Sequence, residues 1–316
     1  MKKKKIPLIV LGVVAIILLI LLSVAGIYYF SGKWKLQARI DHVEDGEQYK
    51  ENLLNIMVLG VDREEPMGGY DERGQIGQAD AVFVVSLDLK TRELNIISVP
   101  RDSMIDGMMP DIVEGEYNYA KMQLCLQYAF GDGREESCEL MRQQVSKLLG
   151  IPIHGYAAVN FSVLPVLNDA IGGVDITMDQ DYTFIDPAFV QGATLHLNGQ
   201  QVRDYLQGRD TTQEATAYYR LDRHKQYIQA AYQQVKVSGI QNPFEIIKLM
   251  KSVDDYVVTD LELNEILQLV RIGVKSEFDM DHFRVVEGEI VQGEMFEEFY
   301  IDEEKKEQLV KELFYR

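Results

Sequence analysis

The sequence predicts an α/β domain built on one mixed sheet with helices on both faces, preceded by one N-terminal transmembrane helix. Three observations predict it. Apolar runs of strand length alternate with helix-period segments through the body. One strand pair is joined by a connection too short for a crossover, so part of the sheet is antiparallel. Ile6 to Phe30 contain no charged residue, enough at 1.5 Å per residue to cross a hydrocarbon core of about 30 Å.

The elements follow in chain order. Lys2 to Lys5 form a basic leader over residues 1–5. The apolar run 6–30 exceeds the roughly 7–15 apolar residues of a cleaved signal peptide, although Ser23-Val24-Ala25 has the small residues of a cleavage site. Tyr28, Tyr29 and Trp34 suit the far membrane interface, and the leader lysines set the N-terminus in the cytoplasm. The expected placement is therefore a single-pass cell-membrane protein with an extracytoplasmic body. Residues 31–50, polar and mixed in charge, read as a stalk or a helix continuing from the membrane.

Residues 51–240 then read as the main α/β domain. Leu53 to Gly60 is a buried-strand pattern, and Gly68-Gly69 with Gly74 to Gly77 mark a loop. Ala81 to Leu87 and Leu94 to Val99 are strands joined by the short Asp88 to Glu93 hairpin. Ser137 to Leu149 is a helix with Leu140, Val145, Leu148 and Leu149 inward. Tyr156 to Phe161 is a strand, Leu164 to Ile171 a helix and Val174 to Thr177 a strand. Asn198 and Gln201 form a capping box, and a long helix runs from about Tyr218 to Val237. Residues 241–316 read as a structural extension, with a helix capped by Thr259 and Glu262, a late strand at Arg284 to Val286, and a terminal helix capped by Asp302.

Composition narrows the function. The 316 residues carry 50 Asp+Glu against 32 Lys+Arg, a net charge of −18. Without the four leader lysines the balance is −22. That excess excludes broad nucleic-acid binding, which needs basic surface, but leaves room for one polyanion in a locally basic pocket. Hydrophobic content of 47% excludes general disorder. Two cysteines exclude a disulfide framework and a four-cysteine zinc site. Cys125 and Cys138 are either a disulfide or two buried thiols, and spacing does not decide between them. No H-E-x-x-H, G-x-S-x-G or S-x-x-K motif is present, and Gly131-Asp132-Gly133 reads as a turn.

The chemistry lies in the placement of arginine and aspartate. Pro100-Arg101-Asp102 follows an apolar strand, so Arg101 sits at a strand's carboxyl end, where open α/β sheets bind ligands. Arg209 follows the capped helix. Arg220 and Arg223 share one face at the start of the long helix, near its positive dipole end, a pattern suited to phosphate. Asp62 ends one strand and Asp80 begins another, a pair able to hold Mg²⁺ against phosphate oxygens. The plain alternative is surface ion pairing by the arginines and turn capping by the aspartates.

The ordered set resembles the LytR-CpsA-Psr family. Leu59-Gly60-Val61-Asp62, Gln78-Ala79-Asp80 and Pro100-Arg101-Asp102 are similar to three of its motifs. Gly150 to Phe161 with Asp169 to Ile176, Leu197 to Arg209, and Tyr219 to His224 are similar to three more. The resemblance runs from about Leu53 to Ala231. Gln78 and Gln207 stand where the family has arginine, and His224 where it has glutamine.

The resemblance implies a phosphotransferase moving a glycopolymer from a polyprenyl-pyrophosphate carrier to peptidoglycan, with Mg²⁺ or Mn²⁺ as cofactor. Asp62 and Asp80 would hold the metal. Arg101, Lys121, Arg209, Arg220, Arg223 and His224 would bind the pyrophosphate. Asp102 would act as base or orient Arg101. The isoprenoid tail would need an apolar groove, for which the Leu164 to Ile171 helix is a candidate cover. The lost charges at Gln78 and Gln207 keep two other readings open: a polyisoprenoid-phosphate or wall-binding module without turnover, and a lipid pyrophosphatase.

Overall fold

Eight of the nine residues of β1 (Leu53–Val61) are buried. A strand without alternation has to be covered on both faces, which makes it central. The computed structural model describes residues 31–40, 49–67, 76–110, 117–208, 216–238, 242–294 and 296–316. The leader, the predicted anchor at 6–30, Arg209 and most of the glycine loop lie outside these. Among the described residues no helix is long and apolar enough to cross a membrane.

A helix α1 (31–38) precedes β1, then β2 (Ala79–Asp88) and β3 (Leu94–Ser98) form the predicted hairpin. A second hairpin, β4 (Met104–Pro110) and β5 (Tyr117–Gln123), follows, then α2 (Glu135–Leu149) and β6 (Gly155–Asn160). Next come α3 (Leu164–Ala170), β7 (Val174–Thr177), β8 (Thr194–Leu197), α4 (Gly199–Gln207) and α5 (Thr216–Val237). The chain closes with α6 (Pro243–Val253), β9 (Val257–Thr259), α7 (Leu263–Gly273), β10 (Phe283–Val285), β11 (Gly288–Gln292), β12 (Glu297–Ile301) and α8 (Glu303–Phe314).

The central sheet has the order β10-β3-β2-β1-β6-β9. β1 runs parallel to β6 and β3 parallel to β10, while the other neighbours are antiparallel, so the sheet is mixed as expected. On one face Met57, Leu59, Val84 and Ile97 pack with Met141 and Val145 of α2 and with Leu313 and Phe314 of α8. On the other, Phe83, Val85 and Ile96 meet Leu221 and Ile228 of α5 and Ile272 of α7. Full burial of each such side chain stabilises the fold by about 1.5–3 kcal/mol. A satellite core joins β7, β8, α4 and the far face of α5 around Tyr205 and Phe189.

Several local expectations hold and several change. Asn198 and Gln201 make both bonds of the capping box, and Asp302 caps α8 through the amide of Lys305. α7 is capped instead by Glu262 with Glu265. Thr259 is spent elsewhere: its hydroxyl donates to the Tyr156 carbonyl and accepts from the Leu261 amide. Cys125 and Cys138 are free, buried thiols, so the disulfide alternative is not realised. Burial pushes the Cys125 thiol up to about 11, which keeps it protonated and unreactive at neutral pH.

Residues 31–40 are docked on the body rather than standing free of it. Leu36 and Ile40 are buried against Leu54 and Ile56. Arg39 donates from Nε and Nη2 to the Glu265 carboxylate at 2.6 and 3.0 Å, and from Nη1 to Asp260 at 2.7 Å and the His154 carbonyl at 3.0 Å. A charge as deep as Glu265, 1% exposed, needs such a partner.

Candidate functional site

The site forms where β1 and β2 lose register. Pairing is regular from Leu53↔Asp88 to Gly60↔Ala81, then shifts so that Val61 faces Ala79. Such bulges re-aim side chains, and here the extra residue is Asp80. The amides of Asp62 and Asp80 both donate to the Gln78 carbonyl, at 3.0 and 3.1 Å, so one peptide oxygen fixes both backbones. Two glycines permit this. A Cβ on Gly60 would sit 2.5 Å from the Phe161 ring, and Gly77 enters β2 with φ +97°, a conformation glycine adopts without steric cost.

Asp80, 7% exposed, receives two arginines. Arg101 Nη1 donates to its Oδ1, and Arg220 Nη1 approaches its Oδ2 at 3.5 Å. Arg101 comes from the loop after β3 and Arg220 from the first turns of α5, so the sheet and the long helix meet at this carboxylate. Arg101 is oriented on two further sides: Nη2 donates to Gln78 Oε1 at 3.1 Å and Nε to Asp102 Oδ1 at 3.2 Å. Gln78 therefore supplies an acceptor that aims Arg101, where the sequence suggested only a missing charge. Asp102 also accepts from Gln123 Nε2 at 2.9 Å, a geometry that favours orienting Arg101 over acting as base.

A cavity of about 60 Å³ opens beside these groups. Asp80, Arg101, Asp102, Arg220 and His224 line its polar side, and Val82, Phe83, Leu221 and Phe299 its apolar side. Glu297 and Glu298 of β12 also line it. Two arginines thus face four carboxylates, and the cleft is not the locally basic pocket the arginine pattern suggested.

The other candidates are placed differently. Arg223 is 2% exposed, with its guanidinium 5.4 Å from the Tyr182 ring centre and 5.7 Å from that of Tyr205, and Nη2 donating to the Gly208 carbonyl. Burial pushes its pKa down from the ordinary arginine value. It stands beside Gly208 at the end of α4 and does not line the cleft with Asp80. Lys121 lies on the exposed face of the β4–β5 hairpin, 3.4 Å from Asp106, and does not line the cleft. Gln207 accepts from Arg203 Nε at 3.0 Å, and Arg203 pairs with Glu64 just beyond Asp62. Beneath α3, a Cβ on Gly199 of α4 would lie 2.5 Å from the backbone of Pro165, so the two helices touch at that point.

Sequence reasoning missed Gln123 and the β11–β12 hairpin. Gln123 Nε2 donates to the Glu297 carbonyl at 2.8 Å as well as to Asp102, and the Phe299 amide donates to the Asp102 carbonyl at 3.0 Å. The region read as a structural extension thus forms one wall of the site. The Asp302 cap marked the end of this hairpin, but nothing local pointed to its docking partner.

Among the described residues no three His, Cys, Asp or Glu side chains gather into a metal site. Mg²⁺ takes one or two carboxylates and completes its shell with water and substrate phosphate, so at Asp62 and Asp80 it would share the Asp80 carboxylate with Arg101 and Arg220, which engage both of its oxygens. The Asp62 side chain is exposed, and the shared Gln78 carbonyl holds its backbone beside that of Asp80.

His224 is neutral at physiological pH. Its pKa is pushed down to about 4, first by burial and then by the Arg220 guanidinium, against the opposing pull of the Leu206 carbonyl. Nε2 lies 3.3 Å from that carbonyl, a contact that places the proton on Nε2. In the unfolded chain the same ring protonates near 6.5. Between those values the unfolded state binds the extra proton, so stability falls as pH drops from about 6.5 to about 4, by about 3 kcal/mol. Chemical denaturation across that window should show the slope, and His224→Gln should flatten it. Identical slopes would assign the loss to other groups.

The LytR_cpsA_psr family model matches residues 28–314. Over 229 residues the chain is 26% identical to polyisoprenyl-teichoic acid–peptidoglycan teichoic acid transferase TagV of Bacillus subtilis, covering 71% of this chain and 54% of that protein. Over 283 residues it is 24% identical to the transferase TagU of Enterococcus faecalis, covering 88% and 86%. The chain therefore spans about half of the first relative and most of the second. The crystal structure of B. subtilis TagV superimposes with a TM-score of 0.61 at 23% identity, covering 83% of this chain and 97% of that one. That likeness establishes the shared mixed α/β fold.

Proposed function

The chain belongs to the LytR-CpsA-Psr family, and from that premise we propose that it is a membrane-anchored, extracytoplasmic phosphotransferase. It moves a glycopolymer of the teichoic acid class from a polyprenyl-pyrophosphate carrier to peptidoglycan. The observation that carries this reading is the convergence of Arg101 and Arg220 on buried Asp80, beside a wall of Val82, Phe83, Leu221 and Phe299. Guanidinium forks match phosphate oxygens, and the adjacent apolar wall suits the isoprenoid end of the same molecule.

The chemistry follows from that pairing. An acceptor sugar hydroxyl attacks the phosphorus attached to the glycopolymer, a new oxygen–phosphorus bond forms, the bond to the departing polyprenyl phosphate breaks, and the hydroxyl proton passes to solvent. Positioning and charge stabilisation dominate such transfers. Arg101, held on three sides by Asp80, Gln78 and Asp102, is pre-aimed and needs little reorganisation when charge shifts toward the leaving phosphate. Arg220 supplies a second cation from a rigid helix. Asp62 and Asp80 would hold Mg²⁺, whose contribution when bound is to neutralise phosphate charge. The two-to-four balance of arginine and carboxylate around the cleft supports a need for that added positive charge. The uncharged run 6–30 supports an anchor, which would keep the site near its lipid donor and raise the donor's effective concentration.

The test is purified full-length chain with a lipid-pyrophosphate-linked donor and a glycan acceptor, with and without Mg²⁺. Polymer joined to the glycan is the expected product. Lipid bound without turnover would make the chain a binding module, and polymer released to water would make it a pyrophosphatase; either outcome overturns the proposal.

A further inference from the structure

A second pocket, of about 330 Å³, lies among α1, the β2–β3 turn and α7, away from the cleft described above. Five of its eleven lining residues are basic, namely Lys33, Lys90, Arg92, Arg271 and Lys275, and none is acidic. In a chain with 50 acidic against 32 basic residues, so one-sided a lining sets this pocket apart. Asn52 and Gln268 add uncharged amides to it. Among the described residues, Lys33, Lys90, Arg92 and Lys275 form no ion pair with the abundant carboxylates of the body.

Two independent features mark the same spot. Asn52, at φ +74°, and Arg92, at φ +68°, are the non-glycine residues found in the left-handed region among the described residues, and both line this pocket. An arginine in that region is uncommon and persists where the surrounding structure holds it there. The second feature is position. α1 supplies Lys33, which lies three residues after the uncharged run 6–30 in the sequence. Trp34, one residue on, is 72% exposed, as suits a side chain lying among lipid headgroups.

We infer that this pocket binds the phosphodiester headgroup of an anionic phospholipid in the leaflet facing the body, so that the domain is held to the membrane at a second point besides its anchor. The inference rests on the proposed membrane placement, but the pocket can be tested without it. A phosphodiester carries one negative charge and several acceptor oxygens, which ammonium and guanidinium groups satisfy together. Several lysines and arginines gathered close to an anionic surface are the usual means by which protein segments recognise it.

The experiment is native mass spectrometry of the full-length chain in detergent, titrated with phosphatidylglycerol or phosphatidylcholine. Detergent keeps the chain dispersed whether or not residues 6–30 span a bilayer, and no transfer activity is needed. One phosphatidylglycerol should be retained in preference to phosphatidylcholine. The triple variant Lys33→Glu, Lys90→Glu, Lys275→Glu should weaken that retention by about a hundredfold. A control triple, Lys147→Glu, Lys248→Glu, Lys251→Glu, makes the same charge change on exposed parts of α2 and α6 and should leave it intact. Equal retention of the two lipids, or equal loss in both triples, would overturn the inference. Displacement of the lipid by an equal concentration of soluble glycerophosphate would assign the pocket to a free phosphate ester and overturn the lipid assignment.

Discussion

Arg101→Ala lowers the rate of polymer transfer by about a thousandfold, the lower range expected for removal of an arginine that stabilises a transferring phosphoryl group. The size follows from the packing of this side chain. It engages Asp80, Gln78 and Asp102 at once, so its guanidinium holds a single orientation before any ligand arrives. Arg101→Lys keeps the charge but loses the fork, and should recover only a small part of the rate. Both variants should remain folded, because Asp80 keeps Arg220 and Asp102 keeps Gln123. Initial rates with a lipid-pyrophosphate donor, measured beside thermal melts, separate the two effects. Unchanged transfer in Arg101→Ala would remove this cleft as the site.

Arg39→Ala destabilises the fold by about 3–5 kcal/mol, the range for stripping one partner from a buried ion pair. One side chain here satisfies Glu265, Asp260 and the His154 carbonyl, and Glu265 is left with no route to water. The lost pairing also weakens the hold of α7 on α1, which then rests on the Lys35–Glu262 ion pair, the Asn264 amide donating to the Ser31 hydroxyl at 3.0 Å, and the packing of Leu36. The midpoint of chemical denaturation reports the loss. Arg39→Ala with Glu265→Gln should recover part of it, because the neutral amide is less costly to bury. A loss below about 1 kcal/mol would mean that water reaches Glu265 without the arginine.

The sequence made the strands and the charged residues at their ends legible, because both are local signals. An apolar run stopping at Pro100-Arg101-Asp102, or at Gly60-Val61-Asp62, marks a strand's end wherever the strand falls in the sheet. Partners distant in sequence were not legible. Lys121 is a cation at a suggestive place, yet β4–β5 pairing sets it opposite Asp106 on the exposed face of the hairpin. Arg223 follows Arg220 by three residues, and one helical turn separates a group facing Asp80 from one closed in by tyrosines. Gln78 carries no motif value until the fold sets its amide against Arg101. The shift of the α7 cap from Thr259 to Glu262 has the same origin, since β9 pairing brings Thr259 within reach of the Tyr156 carbonyl.

The late hairpin has a consequence for the order of events in the life of the chain. β10 completes the sheet beside β3, and β12 closes the cleft through the Phe299 amide and the Glu297 carbonyl. Arg101 and Asp80 are synthesised some two hundred residues before that wall exists. A chain stalled or clipped before Glu297 would carry every predicted charged residue and still lack a finished cleft. The proposed transfer would therefore require the last strands to have docked, and a copy lacking them would hold the charged residues without the wall that closes the cleft.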